Sequence, residues 1–291
     1  MGTRVLQIAS AQLKFRRTLP ENVELICRFI AEASRLRSDA VLFPECALTG
    51  YNVDFRKLER GEIENGLKAV SDSAKAHRCH VLIGSPTFAH GRRFNSLLVF
   101  NRQGREIFRY HTIHLTSRDA EFFAPGNSVA FFRIDGVPCT AIICHERRFP
   151  ELVRLPVMMG AQIVFHPNAG LDALAVSKTK RGGRDGIAVR AFENQVFYVF
   201  ANSVGPQGGR LWSAGDSKIV AADSQVLALA NNRDERLIYA RLDLSQAGRK
   251  YGREALEEPK FLRAQWKAML AACRRRLVRD RRDFVASYHA K

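Results

Sequence analysis

The order of predicted secondary-structure elements constrains this 291-residue chain more than any other feature. Apolar, β-branched runs alternate with segments whose apolar residues recur at helical spacing, so strands alternate with helices. The series strand, helix, strand, helix, strand and paired strands occurs twice, which predicts an α/β sandwich with two pseudo-twofold halves. The predicted strands are 5–9, 40–43, 81–85, 96–100, 106–110, 129–134, 140–143, 162–166, 196–201, 218–222, 226–230 and 237–242, and the predicted helices include 62–76, 150–159 and 183–195. The last three strands are expected to close the second half.

Each half delivers a reactive side chain directly after its second strand. Glu45 follows strand 40–43 and Pro44, and Cys144 follows strand 140–143. Residues at such strand ends lie at the rim of an α/β sheet, where these folds place their chemistry. A thiol nucleophile needs a base for its proton, and a buried glutamate with a raised pKa suits that task near neutral pH. The internal repeat therefore predicts that Glu45 and Cys144 lie near the axis between the halves.

Composition argues against several other classes of protein. Hydrophobic residues make up 46% of the chain and charged residues 26%, which is typical of a soluble protein. No apolar run approaches a membrane span, and the first residues lead into a strand rather than a signal sequence. The six cysteines show neither a C-x-x-C pair nor zinc-ligand spacing. We therefore expect a cytoplasmic protein with free thiols and no membrane partner.

The net charge of +17 raises the question of an anionic partner. Basic residues are spread along the chain, and the dense arginine cluster at 274–282 follows a final amphipathic helix. No nucleic-acid-binding motif accompanies this cluster, so a nucleic-acid partner is not expected.

Several ordered motifs resemble those of the nitrilase superfamily of carbon–nitrogen hydrolases, from about residue 5 to residue 244. They are FPE at 43–45, LTGY at 48–51, YHTIHL at 110–115, ICHERRFPE at 143–151, RAFENQ at 190–195, ANSVG at 201–205 and GDSKIV at 215–220. The resemblance implies a nitrilase-like α-β-β-α sandwich that becomes four layers on dimerisation. It divides the chain into a hydrolase domain, 1–258, and a C-terminal amphipathic helix with a basic tail, 259–291, at a subunit interface.

The resemblance also implies hydrolysis of a non-peptide carbon–nitrogen bond in an amide, a carbamoyl compound or a nitrile. Cys144 would form a thioester, Glu45 would relay protons, and Glu121 would position the water or the base. The backbone N–H of His145 would donate to the oxyanion. The expected partners are a small amide-type substrate and a second copy of the chain in a homodimer, and neither a metal nor an organic cofactor is implied.

One position departs from the resembled pattern. Thr112 stands where the family has a lysine that donates to the oxyanion, and a threonine carries no charge. Lys178 and Lys180 lie in a loop that leaves the sheet at the same predicted rim as Cys144, so they are candidate compensating cations. A solvated basic loop also explains them. The alternative function is therefore a catalytically impaired member that binds a small amide or a protein partner.

Two other arrangements of reactive side chains are possible. Cys144 with His114 or His166 would form a Cys–His pair of the papain type, which nothing in the spacing favours. The segment 77–80 (HRCH) suggests a metal site, but neighbouring residues at a helix end rarely converge on one ion, so a capped helix end is favoured.

The predicted dimer depends on two apolar segments. They are the helix after Cys144, with Leu152, Leu155, Val157 and Met159, and the C-terminal helix, with Phe261, Trp266, Met269 and Leu270.

Overall fold

The computed structural model describes residues 4–179 and 186–289, of which 280–289 are described by their backbone alone. The helices are α1 (Leu19–Arg35), α2 (Arg60–His77), α3 (Glu151–Met159), α4 (Leu174–Thr179), α5 (Ile187–Asn194), α6 (Lys250–Glu254) and α7 (Arg263–His289). The strands are β1 (Val5–Gln12), β2 (Ala40–Leu42), β3 (His80–Ala89), β4 (Arg92–Phe100), β5 (Glu106–His111), β6 (Phe132–Ile134), β7 (Val137–Ala141), β8 (Ile163–Asn168), β9 (Asp172–Ala173), β10 (Phe197–Asn202), β11 (Val204–Pro206), β12 (Leu211–Ala214), β13 (Lys218–Val220), β14 (Val226–Leu229) and β15 (Arg236–Asp243). Short 3₁₀ helices include Asp119–Glu121 and Cys144–Arg148.

Helix α1 shows how local sequence sets an element. The Thr18 hydroxyl accepts the amide of Glu21, and the Glu21 carboxylate accepts the amide of Thr18 in return. This reciprocal capping box satisfies amides that have no partner within the helix. The buried stripe of α1, which includes Ile26 and Ile30, packs on the first sheet.

The strands form two six-stranded sheets, ordered β15-β1-β2-β3-β4-β5 and β14-β13-β10-β8-β7-β6, with a small third sheet β11-β12-β9. Parallel strands β1, β2 and β3 form the centre of the first sheet, and β7, β8 and β10 form that of the second. The predicted repeat is therefore present. One assignment was wrong: β15 was expected to close the second half, but it pairs antiparallel with β1 in the first sheet. Its Ile238 and Leu242 enter the core between the sheets, which the chain order did not indicate.

The two large sheets pack face to face with helices on their outer faces. Alternate residues of both sheets, such as Ile8 and Phe165, form the core between them. The outer face of the first sheet packs against α1 and α2, and that of the second packs against α3 and α5. This is the expected α-β-β-α sandwich, with the carboxyl ends of the parallel strands gathered at one rim.

The apolar side of α3 is covered within the chain. Leu152 and Val157 pack on the second sheet, while Leu155 packs against Leu270 of α7. The apolar composition of α3 therefore needs no second subunit to cover it, and four layers on dimerisation remain a prediction. Phe261 is 75% exposed. Within the described ranges, no helix has the length and apolar character required to cross a bilayer.

Candidate active site

Strands β2 and β7 each end in a turn with a left-handed residue. Cys46, directly after Glu45, has φ of 47°, and Cys144 has φ of 49°. Non-glycine residues seldom adopt this conformation, and where they do it aims the neighbouring side chains in a fixed direction. Gly84 of β3 allows the first turn to approach, because a Cβ there would lie 2.4 Å from the Pro44 carbonyl oxygen. Local backbone geometry thus presents Glu45 and Cys144 at the rim.

The Glu45 carboxylate is held by groups from both halves of the molecule. Asn95 Nδ2 donates to Glu45 Oε1 at 2.7 Å, and the amide of Ala169 donates to Oε2 at 3.0 Å. Burial, with the nearby charge of Asp119, raises the pKa of Glu45 from 4.5 to about 8 against the opposing effect of these bonds. A carboxylate with that pKa is a strong enough base to share a proton with a thiol near neutral pH.

Cys144 is the thiol that meets this carboxylate. Its thiol lies close enough to the Glu45 carboxylate for each group to shift the pKa of the other, so the structure brings together the two residues that the internal repeat places near its axis. Burial, followed by the negative charge of Glu45, raises the pKa of the Cys144 thiol well above its usual value, and Arg147 acts in the opposite direction. The thiol therefore keeps its proton until Glu45 accepts it. Among the alternatives for the base, the geometry favours the glutamate.

Glu146 stabilises the nucleophile turn from inside. Its buried carboxylate accepts the amide of Ile143 at 2.7 Å, the amide of Ile113 at 2.7 Å and the hydroxyl of Tyr110 at 2.8 Å. Burial raises the pKa of Glu146 to about 7. These bonds connect the turn that carries Cys144 to the segment that contains Thr112.

The second carboxylate of the site is Asp119 and not Glu121. Asp119 is buried, accepts the Tyr51 hydroxyl at 2.5 Å, and raises the pKa of both Glu45 and the Cys144 thiol through its charge. Glu121, the residue implied by the resemblance, is exposed. Both belong to one 3₁₀ helix of three residues per turn, so side chains two positions apart point in different directions. The structure therefore does not bring Glu121 to the site.

Thr112 is buried next to Asn95, the residue that donates to Glu45. Its amide donates to the Asn95 carbonyl at 3.0 Å, and its hydroxyl has no hydrogen-bond partner among the described residues. Lys178 is exposed and does not line the cavity at Cys144, whereas Lys180 falls outside the described residues. Among the described residues, Arg147 and Arg148 line the cavity together with Cys144, and the charge of Arg147 acts to lower the pKa of the thiol.

The cavity at Cys144 has a volume of about 150 Å³. A cavity of that size is large enough for a molecule of about six heavy atoms, since one of about 150 Å³ holds benzene. Cationic and anionic side chains share its wall with backbone from the second half of the chain. The lining includes Thr116, His145, Arg147, Arg148, Asn168, Gly170, Asp172, Phe200, Asn202 and Asp216.

The histidines considered as alternative bases occupy other places. The His166 ring contacts the Cys144 carbonyl oxygen, 3.1 Å from its Nε2, and not the thiol. His114 stacks on Phe149 with 3.5 Å between ring centroids. In the 77–80 segment, His80 bonds Asp135 at 2.9 Å, and no cluster of three or more potential metal ligands occurs in the described part of the chain.

Sequence interpretation missed Asp119, Asn95 and Arg147. A signal existed for Asp119, because the order Thr116-Ser117-Arg118-Asp119 has capping-box spacing and the structure contains both reciprocal bonds, at 3.1 and 3.2 Å. No local signal identified Asn95, which lies within a strand and reaches Glu45 only through sheet pairing.

Comparisons with known proteins identify the family of this chain. The model of the carbon–nitrogen hydrolase family matches residues 7–250. A 2-oxoglutaramate amidase of Bacillus subtilis is 29% identical over 237 residues, covering 78% of this chain and 86% of that protein. A nitrilase of Pyrococcus abyssi is 30% identical over 226 residues, covering 75% and 81%. A nitrilase-superfamily amidase of Nesterenkonia AN1 shares the fold, with a TM-score of 0.77 at 22% identity over 91% of this chain and 98% of that one. The chain therefore belongs to the carbon–nitrogen hydrolase family and is an enzyme of the amidohydrolase type.

Proposed function

We propose that this enzyme hydrolyses the carbon–nitrogen bond of a small amide that also carries an anionic group, through a thioester on Cys144. The observation that carries the proposal is the closeness of the Cys144 thiol, which lines a small cavity, to Glu45, a buried carboxylate with a raised pKa. This pairing supports nucleophilic attack assisted by a general base.

In the acylation step, the Cys144 sulfur attacks the amide carbon while its proton moves to the Glu45 carboxylate. The S–C bond forms, and the carbonyl electron pair moves to the oxygen, which accepts a hydrogen bond from the backbone N–H of His145. That amide lies in the first turn of the 3₁₀ helix Cys144–Arg148, where amides lack partners within the helix. Collapse of this intermediate breaks the C–N bond, and Glu45 gives its proton to the leaving nitrogen.

In the deacylation step, water attacks the thioester and transfers a proton to Glu45. The S–C bond breaks, the acid leaves, and the proton returns to the sulfur of Cys144. Asp119 assists both steps, because its charge raises the pKa of Glu45 and so makes that carboxylate a stronger base.

The proposed anionic group of the substrate follows from the wall of the cavity. Arg147 and Arg148 line it together with Asp172 and Asp216, and of these groups the guanidiniums bind carboxylates through paired hydrogen bonds. The relatives support an amide substrate of this size: one is named for 2-oxoglutaramate, and the Nesterenkonia amidase has been captured with butyramide.

Ammonia release from matched pairs of amides tests the proposal. Succinamate and glutaramate are compared with butyramide and propionamide, and N-carbamoyl amino acids form a third group. We expect the anionic amides to be favoured by about 10–100-fold in kcat/KM, because a hydrogen bond to a charged group contributes about 1.5–3 kcal/mol. Cys144→Ala should lose about 10⁴–10⁶ in kcat, while Cys27→Ala, which changes a half-buried thiol on α1, should not. Turnover that survives Cys144→Ala would refute the proposed nucleophile.

Thr112 favours a second candidate function, a member that binds an amide without turning it over. Its neutral hydroxyl has no partner in the described structure, although it occupies the position of the family's cation. Calorimetric binding of glutaramate to the unmodified protein, with no ammonia released over a day, would support this second function over hydrolysis.

We also propose that the protein is a homodimer in which the C-terminal helix contributes to the interface. Phe261 and Met269 are exposed at 75% and 42%, so apolar surface remains on this segment. Light scattering of the full chain and of a chain ending at Glu258 tests this. A full-length monomer at micromolar concentration would contradict it.

A further inference from the structure

His166 is completely buried at the end of β8, directly beneath the nucleophile turn. Its Nε2 lies 3.1 Å from the carbonyl oxygen of Cys144, and its Nδ1 lies 2.9 Å from the hydroxyl of Tyr198. The hydrolysis described above does not use this ring as an acid or a base.

The two contacts determine which ring nitrogen carries the proton. A carbonyl oxygen only accepts hydrogen bonds, so His166 Nε2 must donate to Cys144. Burial, with the charge of Arg147 adding to it, lowers the pKa of His166 to about 3, so the ring is neutral at working pH. The Nδ1 atom then carries no hydrogen and accepts the hydroxyl of Tyr198. The hydrogen bonds therefore run in one direction, from Tyr198 through His166 to the Cys144 carbonyl.

This chain of bonds continues through the peptide unit. The peptide bond between Cys144 and His145 is planar and trans, so the C=O of one residue and the N–H of the next point in opposite directions. His166 holds the carbonyl side from the protein interior, while Cys144 and His145 line the cavity. Fixing the carbonyl direction therefore fixes the direction of the His145 amide.

We infer that His166 and Tyr198 are positioning residues that aim the His145 amide at the oxyanion formed on attack by Cys144. The inference depends on the proposed function for the identity of the reaction. Hydrogen bonds in series polarise one another, so each donor upstream strengthens the final N–H as a donor. This amide carries particular weight here, because Thr112 cannot provide a cation at the position where relatives in the resembled superfamily have a lysine.

The test uses the full-length enzyme and its best amide substrate. His166→Phe removes both bonds and should lower kcat by about 10–10² while KM changes less than about threefold, because the amide acts on the transition state rather than on bound substrate. His166→Gln keeps an N–H donor and should recover part of that loss. Tyr198→Phe removes only the outer bond and should lower kcat by about threefold.

His80→Phe is the matched control. His80 is also a buried histidine with one strong partner, Asp135, but it lies at the first residue of β3 in the other large sheet. Both substitutions should lower the melting temperature, and only the one at His166 should lower kcat. Equal kcat losses in the two variants would assign His166 a merely structural role and overturn the inference.

Two readouts do not require amide turnover, which separates failure of this inference from failure of the proposed function. ¹⁵N NMR of the resting enzyme should find His166 protonated at Nε2, and protonation at Nδ1 would overturn the inference.

The second readout is inhibition by butyraldehyde, which adds to the Cys144 sulfur. The S–C bond forms, the carbonyl electron pair moves to the oxygen, and the thiol proton moves to the Glu45 carboxylate. In His166→Phe, the Kd of butyraldehyde should rise by about 10–10² more than the Kd of butyramide does. An equal rise in both Kd values would refute the proposed orientation of the His145 amide.

If His166→Phe does not fold, His166→Gln and Tyr198→Phe retain the shape of the site and carry the same comparison. If both of these variants kept the kcat and the aldehyde affinity of the wild type, the inference would be contradicted.

Discussion

The two halves of the molecule share the same local backbone arrangement but carry different chemical groups on it. In each, the second strand ends in a turn with a left-handed residue, Cys46 in the first half and Cys144 in the second. In the first half the residue before the strained position, Glu45, points to the site. In the second half the strained residue, Cys144, is itself the proposed nucleophile.

The charges of the two halves also differ. The first half contributes the carboxylates Glu45 and Asp119, whereas the second contributes a thiol, the amide of Ala169 and the cation Arg147. Neither half is a site alone, because the pKa of each reactive group depends on groups from both halves. A duplicated architecture has thus become chemically asymmetric through a few side chains at one rim.

The largest expected effect comes from removing the first half's base. Glu45→Gln keeps the size of the side chain but cannot accept a proton, so kcat/KM should fall by about 10²–10⁴. Steady-state ammonia release measures this. Near-normal activity would mean that the base lies in the second half of the chain. The proposed chemical difference between the halves would then be wrong.

The same substitution should change how stability depends on pH. The folded-state pKa of Glu45 is raised from 4.5 to about 8, so between these values the folded protein holds a proton that the unfolded chain has lost. The free energy of unfolding of the wild type should therefore fall relative to Glu45→Gln as pH rises through this window, by a few kcal/mol in total. Urea unfolding of both proteins at pH 5 and pH 8 measures this difference in the free energy of unfolding. Groups that titrate alike in the two proteins do not contribute to it. A constant difference would contradict the raised pKa.

Placing a cation in the first half should make the charge of that half more similar to the charge of the second half. Thr112→Lys brings an ammonium group near Glu45, which should lower the pKa of that carboxylate and move the acid limb of the pH–rate profile below about pH 8. An added donor for the oxyanion should also raise kcat by about 10–10³. Loss of activity instead would show that the site is adapted to the neutral side chain.

The smallest expected effect distinguishes the two carboxylates of one 3₁₀ turn. Asp119→Asn removes a buried charge that raises the pKa of Glu45, so kcat/KM should fall by about tenfold. Glu121→Gln changes an exposed side chain and should alter it less than about twofold. The reverse order in ammonia-release assays would restore Glu121 to the role that the family resemblance implied.

Much of the fold could be predicted, because strands and helices follow from local periodicity and motifs occur in a fixed order. The capping box at Thr18, the alternating strands and the positions of Glu45 and Cys144 after matching strands all depend on residues close in sequence. These are short-range properties, and a chain retains them wherever its elements come to pack.

Tertiary structure alone decided the contacts between distant segments. It placed β15 beside β1, Asn95 on Glu45, Asp119 rather than Glu121 at the site, and His166 against the Cys144 carbonyl. Such contacts depend on the packing of whole sheets and on the direction of each side chain, and neither is encoded within one segment. The sequence by itself determined which chemical groups this protein carries to its rim, and packing determined which of them meet.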